Sequence, residues 1–188
     1  APAAFNCEGG LVLNRSTFMM QPGEALELQN FEPDIEGGYR RINGFSKYVS
    51  VIVPATSDAS EKILMVATFG DFVVAARGEK IFSATAGGSS WTERDTGRTS
   101  AGKYNFERYN FDGNSKLIVV DGTNAPTFFN TSMSATDISE SSVAGSKFVT
   151  AFRSHMFYAG KSTTPQTLVF SQPFDEDAFS SGSGAGTI

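Results

Sequence analysis

Apolar and polar residues alternate in short runs along most of this chain, and the runs are cut by turns that contain glycine. Ile63 to Thr68, Phe72 to Ala76 and Lys80 to Ser83 have strand length and a β-branched or aromatic content, and Phe69-Gly70-Asp71 and Arg77-Gly78-Glu79 join them with connections of hairpin length. The layout then recurs. Tyr104 to Phe111 alternates, Asp112-Gly113-Asn114 turns, Lys116 to Val120 has the apolar run of a buried strand, and Thr127 to Asn130 returns. A third unit holds Phe148 to Phe152, His155 to Tyr158 and Thr167 to Ser171. Gly78, Gly122 and Gly160 are read as one recurring turn glycine, roughly forty residues apart, the period of propeller blades.

Burial is the physical reason for such a repeat. A lone sheet of three or four strands has two faces and cannot cover both, whereas stacked units cover one another. Phe72, Phe82, Trp91, Phe106, Phe128, Phe148, Phe157 and Phe170 all fall on or beside the expected strands and are expected to carry this packing. The expected fold is therefore all-β and β-propeller-like, with three blade-like repeats that are incomplete or open in this chain. An antiparallel sandwich is the competing architecture.

The first third has a different texture. Ala1 to Gln21 carries Leu11, Val12, Leu13 and the cluster Phe18-Met19-Met20, and reads as an extended arm that pairs with another strand or docks on a neighbour. Pro22 to Tyr48 alternates backbone freedom with fixed anchors: Gly37-Gly38 permits a sharp turn that presents Tyr39, Arg40 and Arg41. Glu24 to Gln29 is compatible with one helical turn or a short strand. Val49 to Val53 is a β-branched run stopped by Pro54, and Ser180 to Ile188 reads as a Gly/Ser-rich linker. The expected division is 1–48 for the arm and its loop, 49–179 for the repeats and 180–188 for a flexible tail.

With 188 residues, 40% of them hydrophobic and 17 of them phenylalanine, the chain has ample material for a core. The formal charge of −5, from 15 basic and 20 acidic residues, disfavours salt-sensitive wrapping of nucleic acid and suits a wall past which DNA slides. Cys7 is the single cysteine, so no intrachain disulfide and no multi-cysteine metal site can form. No apolar run approaches the roughly 18 residues of a membrane span, and the first ten residues lack the pattern of a secretory leader, so assembly in a cytoplasm is expected.

Three stretches carry a family likeness. The first is Pro22-Gly23-Glu24-Ala25, then Asn30-Phe31-Glu32-Pro33, then Gly37-Gly38-Tyr39-Arg40-Arg41-Ile42-Asn43-Gly44-Phe45. The second runs from Lys116 to Val120 through Asp121-Gly122 to Pro126-Thr127-Phe128. The third is His155-Met156-Phe157-Tyr158-Ala159-Gly160 with Leu168 to Ser171 and Pro173 to Phe179. In this order they resemble bacteriophage tail nozzle (tail tubular) and packaged-DNA-stabilising hub proteins. The resemblance implies a virion structural protein of a phage tail, a ring below portal and adaptor that retains packaged DNA and forms the conduit for its ejection. It implies as partners other copies of the chain, as a hexamer, together with portal, adaptor and other tail proteins, with DNA passing through the lumen without sequence-specific binding. Members are usually considerably longer, so the chain is expected either to be the first part of a longer protein or to have its blades completed by another copy.

Candidate chemistry is sparse, and no enzyme, cofactor, metal or membrane-insertion role is expected. His155, the only histidine, starts a strand behind a turn, with no nucleophile elbow at Ser154. Asp175-Glu176-Asp177 and Glu32, Asp34 and Glu36 lack the glycine pivot and alternating ligands of a calcium loop, and read as solvated loops. Ser83 to Trp91 is loosely similar to the Asp-box turn of sialidase-type propellers, but the aspartate is missing. Neither Gly-x-Gly-x-x-Gly nor a P-loop is present. The arginine pair suits carboxylate or phosphate partners, so the candidate subunit or adaptor interface comprises Tyr39, Arg40, Arg41, Phe18, Met19 and Met20. The alternative function is a carbohydrate-binding or host-recognition propeller module, in which Trp91 would stack on sugars.

Overall fold

The computed structural model describes residues 9–34, 38–56, 62–99, 102–179 and 182–188. The fold is all-β. Among the described residues there is no α-helix, and the one helical element is a 3-10 turn at Thr17–Met19. The chain divides into two compact units, residues 1–46 and 47–188.

The first unit holds two small pairs of strands. β1 (Gly10–Leu11) runs parallel to β2 (Glu24–Ala25), and β3 (Phe31–Pro33) runs antiparallel to β4 (Tyr39–Arg41). The stretch Glu24 to Gln29, open between helix and strand, thus supplies a strand at its start. Glu24 also anchors the incoming arm, because its carboxylate accepts from Arg15 at 3.0 Å and from the Gln21 amide at 2.8 Å. Gly38, with φ of +79°, makes the return into β4; Gly37 and Glu36 lie outside the described residues, as does Cys7.

The second unit is three four-stranded antiparallel sheets laid down in sequence order. The first contains β5 (Ile63–Phe69), β6 (Phe72–Arg77), β7 (Lys80–Thr85) and β8 (Thr92–Asp95). The second contains β9 (Asn105–Phe111), β10 (Asn114–Val120), β11 (Thr127–Phe129) and β12 (Ala135–Asp137). The third contains β13 (Phe148–Phe152), β14 (His155–Lys161), β15 (Thr164–Phe170) and β16 (Gly186–Thr187). The first strands of successive sheets, β5, β9 and β13, are neighbours. Arg108 donates to the Thr68 carbonyl at 2.9 Å, and the Thr150 hydroxyl donates to Glu107 at 3.2 Å. Sheets that touch along their first strands and stack face to face are arranged as blades, and the propeller-like expectation holds.

Period-two alternation explains how the stack is filled. On β10, Leu117 and Val119 point into a cluster with Met65, Val74, Ala76 and Ile81 of the first sheet. Their neighbours Ile118 and Val120 point the other way, into a cluster with Val149, Met156, Tyr158 and Val169 of the third. The middle sheet is therefore buried on both faces, which is why Leu117 to Val120 reads as an unbroken apolar run. Each such side chain contributes roughly 1.5–3 kcal/mol on burial.

Three expectations are corrected. Gly160 is not a turn glycine but sits inside β14, at a bulge between Ala159 and Lys161. Its φ is +77°, and a Cβ there would lie 2.8 Å from the Phe148 ring, so both conformation and space require glycine. The tail expected as a linker supplies β16, with Thr187 opposite Val169 and Gly186 opposite Phe170. Its glycines let it lie flat, since a Cβ on Gly186 would come within 2.7 Å of the Phe170 ring. Finally, aliphatic residues rather than the phenylalanines fill most of the core. Phe129 and Tyr158 are its fully buried aromatics, whereas Phe148 is 58% exposed.

Candidate functional site

The true repeat position is a phenylalanine that ends the first strand of each sheet. Phe69, Phe111 and Phe152 pair across two-residue turns with Phe72, Asn114 and His155. All three point toward the side on which the next sheet packs, here called the forward face. Phe69 is 7% exposed and Phe111 3%, because a following sheet covers each, but Phe152 is 60% exposed. The forward face of the third sheet continues with Phe148, His155, Phe157 and Phe170. Phe157 and Phe170 lie with centroids 5.4 Å apart, and the His155 ring meets Phe170 edge-on at 5.7 Å.

The rear face of the first sheet is covered at its centre, where Ala75, Phe82 and Ala84 are buried, and opens only along β5. Val66 is 61% exposed, whereas Val149, at the same register three residues before the terminal phenylalanine, is 5% exposed against the middle sheet. A strap formed by residues 48–53 runs beside this face. It is pinned by the Gly87 amide to the Tyr48 carbonyl at 2.8 Å, the Trp91 indole N–H to the Val51 carbonyl at 3.0 Å, and Arg77 to the Val53 carbonyl at 2.7 Å. The β-branched run of Val49 to Val53 is thus irregular backbone, held by side chains of the sheet it borders. Strap and sheet enclose an apolar groove of about 520 Å³, lined by Ile52, Ile63, Val66, Val73, Ala75 and Trp91 among others.

Between the sheets lie two buried polar joints. Arg98, in the connector after β8, donates to Asp95 at 2.7 Å, to Asp121 at 2.9 Å, to the Thr127 hydroxyl and to the Ala125 carbonyl at 3.3 Å. Asp121 accepts in turn from the amides of Thr123 and Asn124, at 2.9 and 2.8 Å, and from the Asn124 side chain at 2.6 Å. Burial by itself would raise the Asp121 carboxyl, but the hydrogen bonds from Asn124, Thr123 and Arg98 outweigh it and hold the group below its ordinary value. Arg98 is likewise subject first to burial, which lowers its pKa, and its bonds to Asp95 and Asp121 overturn this and keep it cationic. At the second joint Lys116 pairs with Glu176 and lies 4.4 Å above the Phe128 ring. Glu176 is only 3% exposed, so the acidic stretch expected as a solvated loop turns one carboxylate inward to meet a lysine that period-two alternation directs at it.

The residues expected at an interface lie on two elements of the first unit. Phe18 and Met19, on the 3-10 turn, are 98% and 69% exposed, and Met20, just after it, is half-buried. Tyr39, Arg40 and Arg41 form β4. Tyr39 is half-buried with its hydroxyl close over Gly10, Arg41 is exposed, and Arg40 pairs with its cross-strand neighbour Glu32 at 2.8 Å in a solvent-exposed contact. His155 has a structural place, with Nδ1 at 2.7 Å from the Ser171 carbonyl. Trp91, on which a sugar would stack, is half-buried and commits its indole N–H to the strap. Among the described residues no group of three or more His, Cys, Asp or Glu is placed to hold a metal ion, and no helix is long and apolar enough to cross a membrane.

Arg98, the pairing of Lys116 with Glu176, and the exposed Phe152 all escaped the sequence reading. Only the last had a usable signal: aligning Phe69-Gly70-Asp71, Phe111-Asp112-Gly113 and Phe152-Arg153-Ser154 by their two-residue turns superposes the phenylalanines, whereas aligning by glycine does not. Comparisons with protein-family models, with curated proteins and with solved structures find no match to this chain.

Proposed function

We propose that this chain is a structural subunit of a phage tail, a nozzle or hub component that packs with copies of itself and with portal, adaptor and other tail proteins around a passage for DNA. The observation that carries this reading is that large apolar side chains stand in solvent at several places on the surface. They are Phe152 on the third sheet, Val66 on the first, and Phe18 and Met19 on the arm. Exposed apolar surface of this kind marks interaction sites. The interior of the stack is sheet packed on sheet, suited to a rigid wall, and the charge of −5 opposes retention of a polyanion sliding past it. The three motif stretches named above supply the tail assignment. The Asp121-Gly122 to Pro126-Thr127 motif coincides with the turn that receives Arg98, a scaffold role rather than a catalytic one.

Electron microscopy of the chain assembled alone and with portal and adaptor proteins tests the proposal. Rings with a central hole are the expected result. Discrete particles without a hole under every assembly condition, or saturable binding on a glycan array, would replace the tail reading with the recognition-module one.

A further inference from the structure

We infer that the cavity between the second and third sheets, at the end where β9 and β13 begin, is a binding site for a phosphate monoester. The cavity has a volume of about 430 Å³, the size of a small-molecule site, and Lys103, Asn105, Asp121, Gly122, Thr123 and Lys147 are among the residues that line it. Three separate segments meet there: the approach to β9, the turn after β10 and the approach to β13. Lys103 and Asn105 flank Tyr104, whose side chain enters the core shared with the first sheet. Lys147 is placed by Gly122, which has a φ of +81°. A Cβ on Gly122 would lie 2.7 Å from Cγ of Lys147, so the bare backbone is the bed on which the lysine stem lies.

The charge in this cavity is unbalanced. Both lysines are exposed, and none of the ion pairs among the described residues involves either of them. The side chains of Asn105 and Thr123 likewise make no hydrogen bond among the described residues. Asp121 is the one acid in the lining, but its side chain is 0% exposed and already bonded to Arg98 and Asn124. The cavity therefore offers two ammonium groups, an amide and a hydroxyl to an incoming anion. A phosphate monoester matches that set: above its second pKa of about 6 it carries close to two negative charges, and it presents three acceptor oxygens. A carboxylate or a phosphodiester brings a single charge. The phosphate alone would leave most of the cavity empty, so the remainder takes the organic part of the ester, of about the size of a sugar. The net charge of −5 disfavours a polyanion, but not one dianion held between two nearby cations. The inference rests on this cavity and not on the tail reading.

Isothermal titration of the 188-residue chain with inorganic phosphate, glucose 6-phosphate, AMP and glucose 6-sulfate tests this, alongside K103Q, K147Q and K47Q variants. The parent is expected to bind one glucose 6-phosphate or AMP per chain, about 10-fold or more tightly than inorganic phosphate. Whichever ester binds more tightly identifies the carrier of the phosphate. Glucose 6-sulfate keeps the shape with a single charge and should bind about 5-fold more weakly than the phosphate ester. K103Q and K147Q should each weaken binding by about 5-fold or more, whereas K47Q, whose lysine lies outside the cavity, should leave it unchanged. All three positions are exposed, and an unchanged cooperative melt without ligand confirms that the variants fold. No saturable heat from either ester at about 5 mM, together with an unshifted thermal melt, overturns the inference. So does equal binding of the sulfate and phosphate esters, a loss confined to one of the two cavity lysines, or an equal loss in K47Q.

Discussion

The seam between the first and second sheets and the seam between the second and third share an aliphatic filling but are locked differently. At the first, a guanidinium that is 3% exposed distributes its donors over two carboxylates, a hydroxyl and a carbonyl. At the second, a lysine that is 21% exposed reaches one carboxylate and holds its ammonium over the Phe111 and Phe128 rings. Arginine's planar fork can satisfy several fixed acceptors at once, and lysine's point charge cannot. The first seam is therefore held in one geometry by direction, and the second mainly by fit. Both differ from the forward face of the third sheet, where the same repeat position, Phe152, is 60% exposed.

The largest contrast should appear at the repeated phenylalanine. Phe111→Ala empties a filled position in the second seam and is expected to cost about 3–5 kcal/mol in urea unfolding. Phe152→Ala, measured at a concentration where the chain is monomeric, should stay within about 0.5 kcal/mol. Equal losses would show that the worth of this position is set inside its own sheet and not by the next one. The first of the polar locks is of similar size. Arg98→Met strands Asp121, whose side chain is 0% exposed, and should cost about 3–5 kcal/mol. Lys116→Met keeps the length of the side chain beside Phe128, and the site is more open to water, with Lys116 21% exposed, so about 1–3 kcal/mol is expected. The reverse order would refute the distinction between direction and fit.

A smaller effect separates the seams by pH. The carboxyl of Asp121 is held below its unfolded value, so its contribution is fully present above an ordinary aspartate pKa of about 3.9 and is lost as pH falls below that. Stability of the parent should decline below about pH 4 more steeply than that of Asp121→Asn, followed by thermal melts in matched buffers. Smallest of all, Arg40→Ala should change stability by about 0.5 kcal/mol or less, because the Arg40 to Glu32 pair lies in water. A larger loss would give the hairpin of β3 and β4 a structural weight that its exposure does not suggest.

The first three strands of each sheet, the hairpin joints of the first two sheets and the three-fold repeat were legible in the linear pattern, because alternation and turn chemistry are local, whereas the fourth strands β8, β12 and β16 were not. The buried run from Leu117 to Val120 even announced a sheet covered on both sides. Other features were not readable at that level. Gly160 looks like the turn glycines around it, and only the close approach of Phe148 distinguishes a bulge from a turn. Residues 182–188 have the composition of a linker, and their capture as the edge strand β16 depends on an unpaired edge of β15 that lies far back in the chain. Nothing in the neighbourhood of Arg98 marks it as buried, since its partners Asp121 and Thr127 are more than twenty residues away and are brought to it by the fold.

For the interface the division falls in the same place. The chain by itself determined that Phe69, Phe111 and Phe152 would end equivalent strands, since that follows from register and turn length. Only the tertiary stack decided that the first two would be covered and the third left open. Burial belongs to the sheet that packs over the position, and among the described residues none packs over Phe152.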